Sequence, residues 1–170
     1  MNNIVCFHNP EEENGWLSNW YLSNFRVQNI CFTSMEQYLM YQKAIVFNDI
    51  NTANTILEEH NPAVIKQLGR NINNYDEVIW NGIRQIIAYR GILEKFTQNE
   101  ELGKKLAETE SAILAECAVN DKIWGIGKSM KDPERFDMHK WTGQNLLGFT
   151  TMQVRNHFFL EGKDLSLIHI

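Results

Sequence analysis

The sequence predicts an α+β fold: a compact single domain, predominantly helical, with a few short strands. Three observations carry that reading. The length of 170 residues, with 44% hydrophobic and 22% charged content, is that of one globular domain with a sizeable core. The apolar runs at 4–7 and 25–32 are short and set among turn-forming residues, as strands are. From residue 33 onward, helix-start residues recur ahead of helically spaced apolar positions.

Residues 1–32 read as irregular and strand-like. Between the two apolar runs lies N-G-W-L-S-N-W-Y-L-S-N-F, with two Ser-Asn pairs each followed by an aromatic, Trp20 and Phe25. Rings beside small polar groups suit a flat ligand, the ring stacking while Ser18 and Asn19 satisfy a polar edge. The plainer alternative is a turn whose rings fill core.

The stretch 33–47 is the most informative. Thr33 and Glu36 have the spacing of a capping box, so a helix is expected to start there. Glu36, Met40 and Lys43 then follow at i, i+4 and i+7 along one face. The outer two are separated by roughly 10 Å of rise, so they would flank a small molecule rather than pair. An amine and a carboxylate so placed suit nucleophilic and acid/base work. Ordinary solvated charges on an amphipathic helix have the same spacing.

A second helix is expected over 49–60, with Ala53, Ile56 and Leu57 inward. Asn61 and Pro62 restart a short one as cap and first residue, and Gly69 closes it just before Arg70. Asp76 caps a long helix through Phe96, carrying Ile79, Trp80, Ile83, Ile86, Ile87 and the run 89–93. Arg84, one turn from Trp80, reads as a solvated charge unless it converges with Arg70 on an anion, which a guanidinium fork fits well. Asn99 starts a further helix to about 109. The run 112–119 is either a buried strand or a helical turn, and periodicity does not decide between them. A closing helix is expected over 143–159.

The loop N-D-K-I-W-G-I-G-K-S-M (120–130) resembles two phosphate motifs without matching either. A phosphate loop needs a glycine where Lys122 stands, and a dinucleotide fingerprint needs a third glycine where Met130 stands. What remains is an acid, Asp121, and an indole, Trp124, beside Gly125 and Gly127, whose backbone a ligand can approach closely. A tight turn with Trp124 in the core is the alternative.

Composition narrows the function classes. The net charge is −5 with scattered Lys and Arg, which argues against broad, charge-driven nucleic-acid binding but not against gripping one modified nucleotide. Cys6, Cys31 and Cys117 show no CxxC spacing and read as reduced thiols of a cytoplasmic protein without a zinc site. The five histidines contain no pair at metal-ligand spacing. No apolar run approaches a membrane span, and no secretory leader is seen. Residues 161–170 are set apart as a tail. Their end, L-S-L-I-H-I (165–170), matches the translation of a transposon end used in preparing sequencing libraries and is read as non-native. An independently sequenced homologue carrying the same six residues would overturn that reading.

Several stretches, in order over about residues 5 to 159, resemble the NADAR (YbiA-like) family. They are G-W-L-S-N-W (15–20), E-Q-Y-x-x-x-Q-K-A (36–44), G-R (69–70), W-x-x-x-R (80–84), K-F-T-Q-N (95–99), D-x-x-W-G-I-G (121–127), G-Q-N-L-L-G (143–148) and M-Q-V-R (152–155). The resemblance implies a helix-dominated α+β fold and an N-glycosidase that cuts between ribose C1 and a nitrogen, beside a phosphate. One branch acts on phosphoribosylamino-pyrimidine intermediates of riboflavin synthesis, another removes ADP-ribose from guanine in nucleic acid. No cofactor or metal is implied.

Carried over by motif, Lys43 is the amine that captures the opened sugar as a Schiff base, which requires a partly desolvated lysine. Glu36 and Asp121 are acid/base or orienting carboxylates. Arg70 and Arg84 are candidates for phosphate, and Asn19 and Trp20 for orienting the ligand. Trp124 belongs to the loop closing over ribose and base. Ser18, Trp80, Gly125, Gly127 and Asn145 complete the substrate-binding set. The family's usual E-H-Y is E-Q-Y here. Gln37 keeps hydrogen bonds but carries no proton, and a required proton carrier would be missing. The longer segment 131–141 is expected to reshape the substrate entrance. The competing reading is a module that binds ADP-ribose or a related nucleotide without cleaving it; a structural role with a decayed site is a weaker third.

Overall fold

A computed structural model describes residues 3–160, and the tail end at 165–170 lies outside the described residues. Among the described residues are six α-helices and four short strands, the helix-dominated α+β class expected. The backbone divides into two units. Residues 19–99 form one without interruption, and the described residues 3–18 with 100–160 form the other.

The continuous unit opens with a hairpin, β2 (Phe25–Val27) antiparallel to β3 (Ile30–Phe32). Only Gln28 and Asn29 link them, and Gln28 takes the positive φ of 55° that so tight a turn requires. Phe25 and Phe32 face inward from opposite strands and meet Tyr38 of the first helix, with ring centroids 5.2–6.0 Å apart.

Helix α1 (Met35–Val46) starts one residue later than the expected box. Ser34 is the cap, extended at φ −157°, its hydroxyl accepting from the N–H of Gln37 at 3.2 Å. Gln37 supplies the returning half, its Oε1 accepting from the N–H of Thr33 at 2.8 Å. Either hydroxyl could cap and each has a box partner three residues on, but Gln37, the partner of Ser34, also has an amide nitrogen that the end of the next helix engages, which the acceptor-only carboxylate of Glu36 lacks. The amide nitrogen of Gln37 then donates to the carbonyls of Ile56, Leu57 and Glu59 at 3.0, 3.3 and 2.8 Å. These carbonyls lie at and just past the end of helix α2 (Ile50–Glu58), where helix geometry leaves acceptors open, although that of Ile56 also accepts from the Glu59 N–H at 3.3 Å.

Asn61 caps helix α3 (Pro62–Arg70), as expected, and Asp49 stands just ahead of α2 as its cap rather than as its first residue. Gly69, however, lies inside α3 rather than closing it. A Cβ there would overlap Met40, so the glycine is what lets α3 lie close against α1. Asp76 caps helix α4 (Glu77–Gln98) through the N–H of Ile79. The core of this unit joins Ala44, Phe47, Ala53, Ile56, Ile65, Ile72 and Trp80.

The inward stripe of α4 carries two cations, Arg84 and Lys95, both buried. Lys95 lies 5.6 Å from the Tyr21 ring and 5.1 Å from that of Phe96. Its burial pulls the amine down from 10.5 to about 7.

In the other unit, β1 (Ile4–Phe7) pairs in parallel with β4 (Ile113–Glu116), Ile4 opposite Ile113 and Phe7 opposite Glu116. The run 112–119 is therefore a strand. Helix α5 (Glu100–Glu108) precedes it, burying Leu102, Gly103 and Leu106. Helix α6 (Leu146–Val154) packs on β4, with Gly148 against the Leu114 carbonyl where a Cβ would not fit. It starts later than the expected 143 because Asn145 adopts a left-handed φ of 52° before it. Beyond it the chain continues in a wider π-helical turn, Arg155–Leu160. Buried Arg155 donates to the Ala112 carbonyl at 2.8 Å and to the Thr109 hydroxyl at 2.9 Å.

Two stability outcomes follow from these buried polar groups. Gln37→Leu strips the donor from the α2 carbonyls and the acceptor from Thr33. Urea unfolding should show a loss of about 3 kcal/mol, with turnover per folded molecule retained; a loss of turnover at full stability would return Gln37 to the chemistry. For Lys95, the folded state disfavours the ammonium, so its destabilising contribution is full below about pH 7 and fades as pH rises toward 10.5. Thermal melts of Lys95→Met should therefore gain most over the parent at pH 6 and little at pH 10. A gain independent of pH would contradict the titration.

Candidate functional site

Lys43 and Glu36 share one face of α1, but that face is not open along its length. Gly69 of α3 sits on Met40, midway between them. The Lys43 side chain is half-buried, and its Nζ donates to the carbonyl of Gly69 at 2.8 Å. The same nitrogen stands 4.2 Å from the centroid of the Tyr75 ring. Burial pulls its pKa below that of an ordinary lysine, and the Glu36 carboxylate opposes that pull. Such an amine is neutral at lower pH than a solvated one, the property a nucleophilic lysine needs.

Glu36 is buried near the start of α1, its backbone N–H donating to the carbonyl of Asn19 at 2.9 Å. That bond fixes the Ser-Asn-Trp turn against the helix. Asn19 is itself buried, and its Oδ1 has no hydrogen-bond partner. Trp20 is half-buried, with Lys66 5.9 Å over its ring.

The two arginines part company. Arg70 ends α3 exposed to solvent, whereas Arg84 is only 8% exposed and its Nε lacks a hydrogen-bond partner. Arg84 is close enough to Tyr75 to draw down the phenol's pKa, against the upward push of burial and of Glu77 and Asp76. Lys43 thus stands on the Tyr75 ring, and the charge of Arg84 is felt at its hydroxyl. A cationic environment with an unfilled buried donor suits an anionic group. Trp80 belongs to the core cluster.

The remaining candidates lie in the other unit. Ser18 is buried, its N–H donating to the Gly15 carbonyl at 2.9 Å. Asp121 is half-buried, its Oδ1 accepting from the N–H groups of Ile123 and Trp124 at 3.3 and 3.1 Å. This turn holds Trp124 half-buried. The glycines after it meet the chain's own backbone. A Cβ on Gly125 would lie 2.8 Å from the Glu116 carbonyl, and Gly127 takes a φ of +74°. Asn145 is fully buried, its Oδ1 accepting from the N–H of Glu116 at 3.1 Å and its Nδ2 donating to the Leu114 carbonyl at 2.8 Å. Its amide pairs with β4 as another strand would. The segment 131–141 is ordered by Asp132 and Asp137, which cap two short 3-10 turns, and by Glu134 between Lys128 and Lys140.

Sequence reasoning did not single out Tyr75 or Lys95. For Lys95 a signal existed: it continues the stripe of Trp80, Arg84, Ala88 and Ile92 at helical spacing. No pattern distinguished Tyr75 within its loop. Among the described residues no His, Cys, Asp and Glu group fit to hold a metal is present, and no helix is long and apolar enough to cross a membrane.

The chain is similar to N-glycosidase R617 of Acanthamoeba polyphaga mimivirus, 34% identical over 159 residues, which span 89% of this chain and 94% of that protein. The riboflavin biosynthesis protein VVA0006 of Vibrio vulnificus is 30% identical over 155 residues, 91% of this chain but 38% of that larger protein. The NMR structure of YbiA from E. coli aligns with a TM-score of 0.77 at 25% identity, covering 100% of this chain and 90% of that one. A family model described as the NADAR domain matches residues 6–159, so the chain belongs to the NADAR domain family.

Proposed function

We propose that this chain is an N-glycosidase that hydrolyses the bond between ribose C1 and a base or amine nitrogen in a phosphate-bearing substrate. The observation that carries the reading is the half-buried Lys43 amine, pKa lowered by burial, on one helix with the buried Glu36 carboxylate. The naming of relatives as N-glycosidases supports it.

In this reading a proton donated to the ring oxygen opens the ribose and leaves C1 as an imine to the departing nitrogen. The neutral Lys43 amine adds to C1, and the C1–N bond to the base breaks as that nitrogen takes a proton. Water then adds to the lysine Schiff base, releasing the sugar aldehyde and the amine. Glu36 is the carboxylate placed to carry protons on this helix, and Asp121 orients the loop that bears Trp124. Arg84, with its unfilled donor, is the group best suited to the phosphate, ahead of exposed Arg70.

Two substrates suit this chemistry: ADP-ribose on guanine in nucleic acid, and phosphoribosylamino-pyrimidine intermediates of riboflavin synthesis. The name of the Vibrio relative supports the second. A net charge of −5 agrees with gripping one nucleotide rather than a long phosphate backbone. The three free thiols agree with a cytoplasmic setting.

Turnover of both substrates by the parent chain and Lys43→Ala tests the reading. Release of product, lost at least 100-fold in the variant, is the expected result; near-parental turnover by Lys43→Ala or Lys43→Arg would remove the covalent amine. Binding of either substrate without cleavage would favour the non-catalytic binding module. Borohydride added during turnover should leave a ribose-derived adduct on Lys43. The rate kcat/KM should rise with pH along an acidic limb whose midpoint lies below the 10.5 of an ordinary lysine, and a midpoint at or above it would contradict a desolvated amine. Arg84→Gln should raise KM about 10-fold or more for the phosphorylated substrate and little for its dephosphorylated analogue. Equal effects on both would take the phosphate away from Arg84.

A further inference from the structure

The loop between α3 and α4 brings an aromatic face to Lys43. Asp49 fixes the loop by accepting from both the backbone and side-chain nitrogens of Asn73, each at 2.9 Å, while also capping α2 through Thr52. Asn74 follows with a φ of 56°, turning the chain so that Tyr75 comes back over α1. The Tyr75 ring stacks edge-on against Phe47 at 5.3 Å, and its face lies under the Lys43 nitrogen. Tyr75 is 43% exposed, yet it is held from both sides by the helix that bears the amine.

We propose that Tyr75 is a positioning residue for Lys43, its ring face and the Gly69 carbonyl together holding Nζ at the seam of α1 and α3. The inference rests on the reading of Lys43 as the reacting amine. Both contacts favour the ammonium, one through the quadrupole of the ring and one through a charge-assisted hydrogen bond. The neutral amine loses most of the attraction to the ring, so deprotonation frees the nitrogen to reach C1. The clamp is tight on the resting cation and loose on the nucleophile.

The charged groups around this seam are few. On α1, the Glu36 carboxylate acts on Lys43. From the α3–α4 loop and α4, Asp76, Glu77 and Arg84 act on Tyr75. On α2 the cap Asp49 is committed to Thr52 and Asn73, and α3 carries Lys66 and Arg70. None of these changes when the ring alone is altered, which makes the ring testable.

Tyr75→Leu removes the face while keeping apolar bulk, and Tyr75→Phe keeps the face while removing the hydroxyl. The Lys43 side-chain resonances, assigned with Lys43→Arg, give its titration by NMR without any substrate. The expected result is that Tyr75→Leu lowers the Lys43 midpoint by about one pH unit. The acidic limb of kcat/KM should move to lower pH by the same amount, and at a pH below the parent midpoint borohydride trapping on Lys43 should rise several-fold, because more of the amine is neutral. Tyr75→Phe should keep the midpoint and the limb of the parent chain. An unmoved midpoint in Tyr75→Leu, or Tyr75→Phe behaving like Tyr75→Leu, would overturn the inference. A moved midpoint with an unmoved rate limb would overturn Lys43 as the reacting amine and leave the ring contact standing.

Discussion

The forked hydrogen bonding of Gln37 is the interaction on which the residues around Lys43 depend. One amide joins the backbone before α1 to the carbonyls of Ile56, Leu57 and Glu59 at the end of α2, its two hydrogens shared among them, so the start of one helix satisfies the end of another. Because α1 is pinned there, its rotation about its own axis is set. Glu36 then meets the Asn19 turn and Lys43 meets α3, two turns apart. A buried amide with a missing partner is costly, so the arrangement tolerates little slippage. The position occupied by histidine in the family's usual motif is here a frame member, and a group that donates to carbonyls is what the frame asks of it.

The same logic recurs at Lys43 itself. Its ammonium reaches a carbonyl of α3 that is accessible because Gly69 has no side chain to hold the two helices apart. Close helix packing and placement of the Lys43 amine are therefore one event. Asp49 extends this by joining the α2 cap to the loop that carries Tyr75. Stability and site geometry in this unit share their hydrogen bonds, so substitutions distant from Lys43 in sequence act on it through rigid neighbours.

Much of the helical framework was legible because capping is local. Asp49, Asn61 and Asp76 each cap the helix that begins right after them, and sequence spacing contains all that such a bond needs. The box at α1 was displaced by one residue because Thr33 and Ser34 are chemically alike, and the choice fell to a partner on α2. The identity of β4 was not legible, since its partner β1 lies over a hundred residues away. For the site, the α1 face was visible from spacing, but Arg84 looked like a solvated charge by the general rule that arginines face water. Its burial follows from the stripe it shares with Trp80 and Lys95, and burial is what turns an ordinary cation into an unfilled donor. The glycines at 125 and 127 and Asn145 read from sequence as ligand-facing; their backbones and amide are engaged by β4 and its neighbours, which no local pattern reveals.

The pairing of β1 with β4 also orders events during synthesis. Residues 19–99 hold the β2–β3 hairpin and helices α1 to α4, which pack on one another, so this segment can condense while the rest of the chain is still being made. Strand β1 emerges before that segment but cannot join β4 until residue 113 has left the ribosome. For that whole interval its ladder hydrogen bonds with β4 cannot form, although the Cys6 carbonyl already has the Asn14 amide as a local partner. The nested arrangement thus places the segment bearing Lys43 among the first to mature and makes the outer segment the slow, aggregation-exposed step of biogenesis.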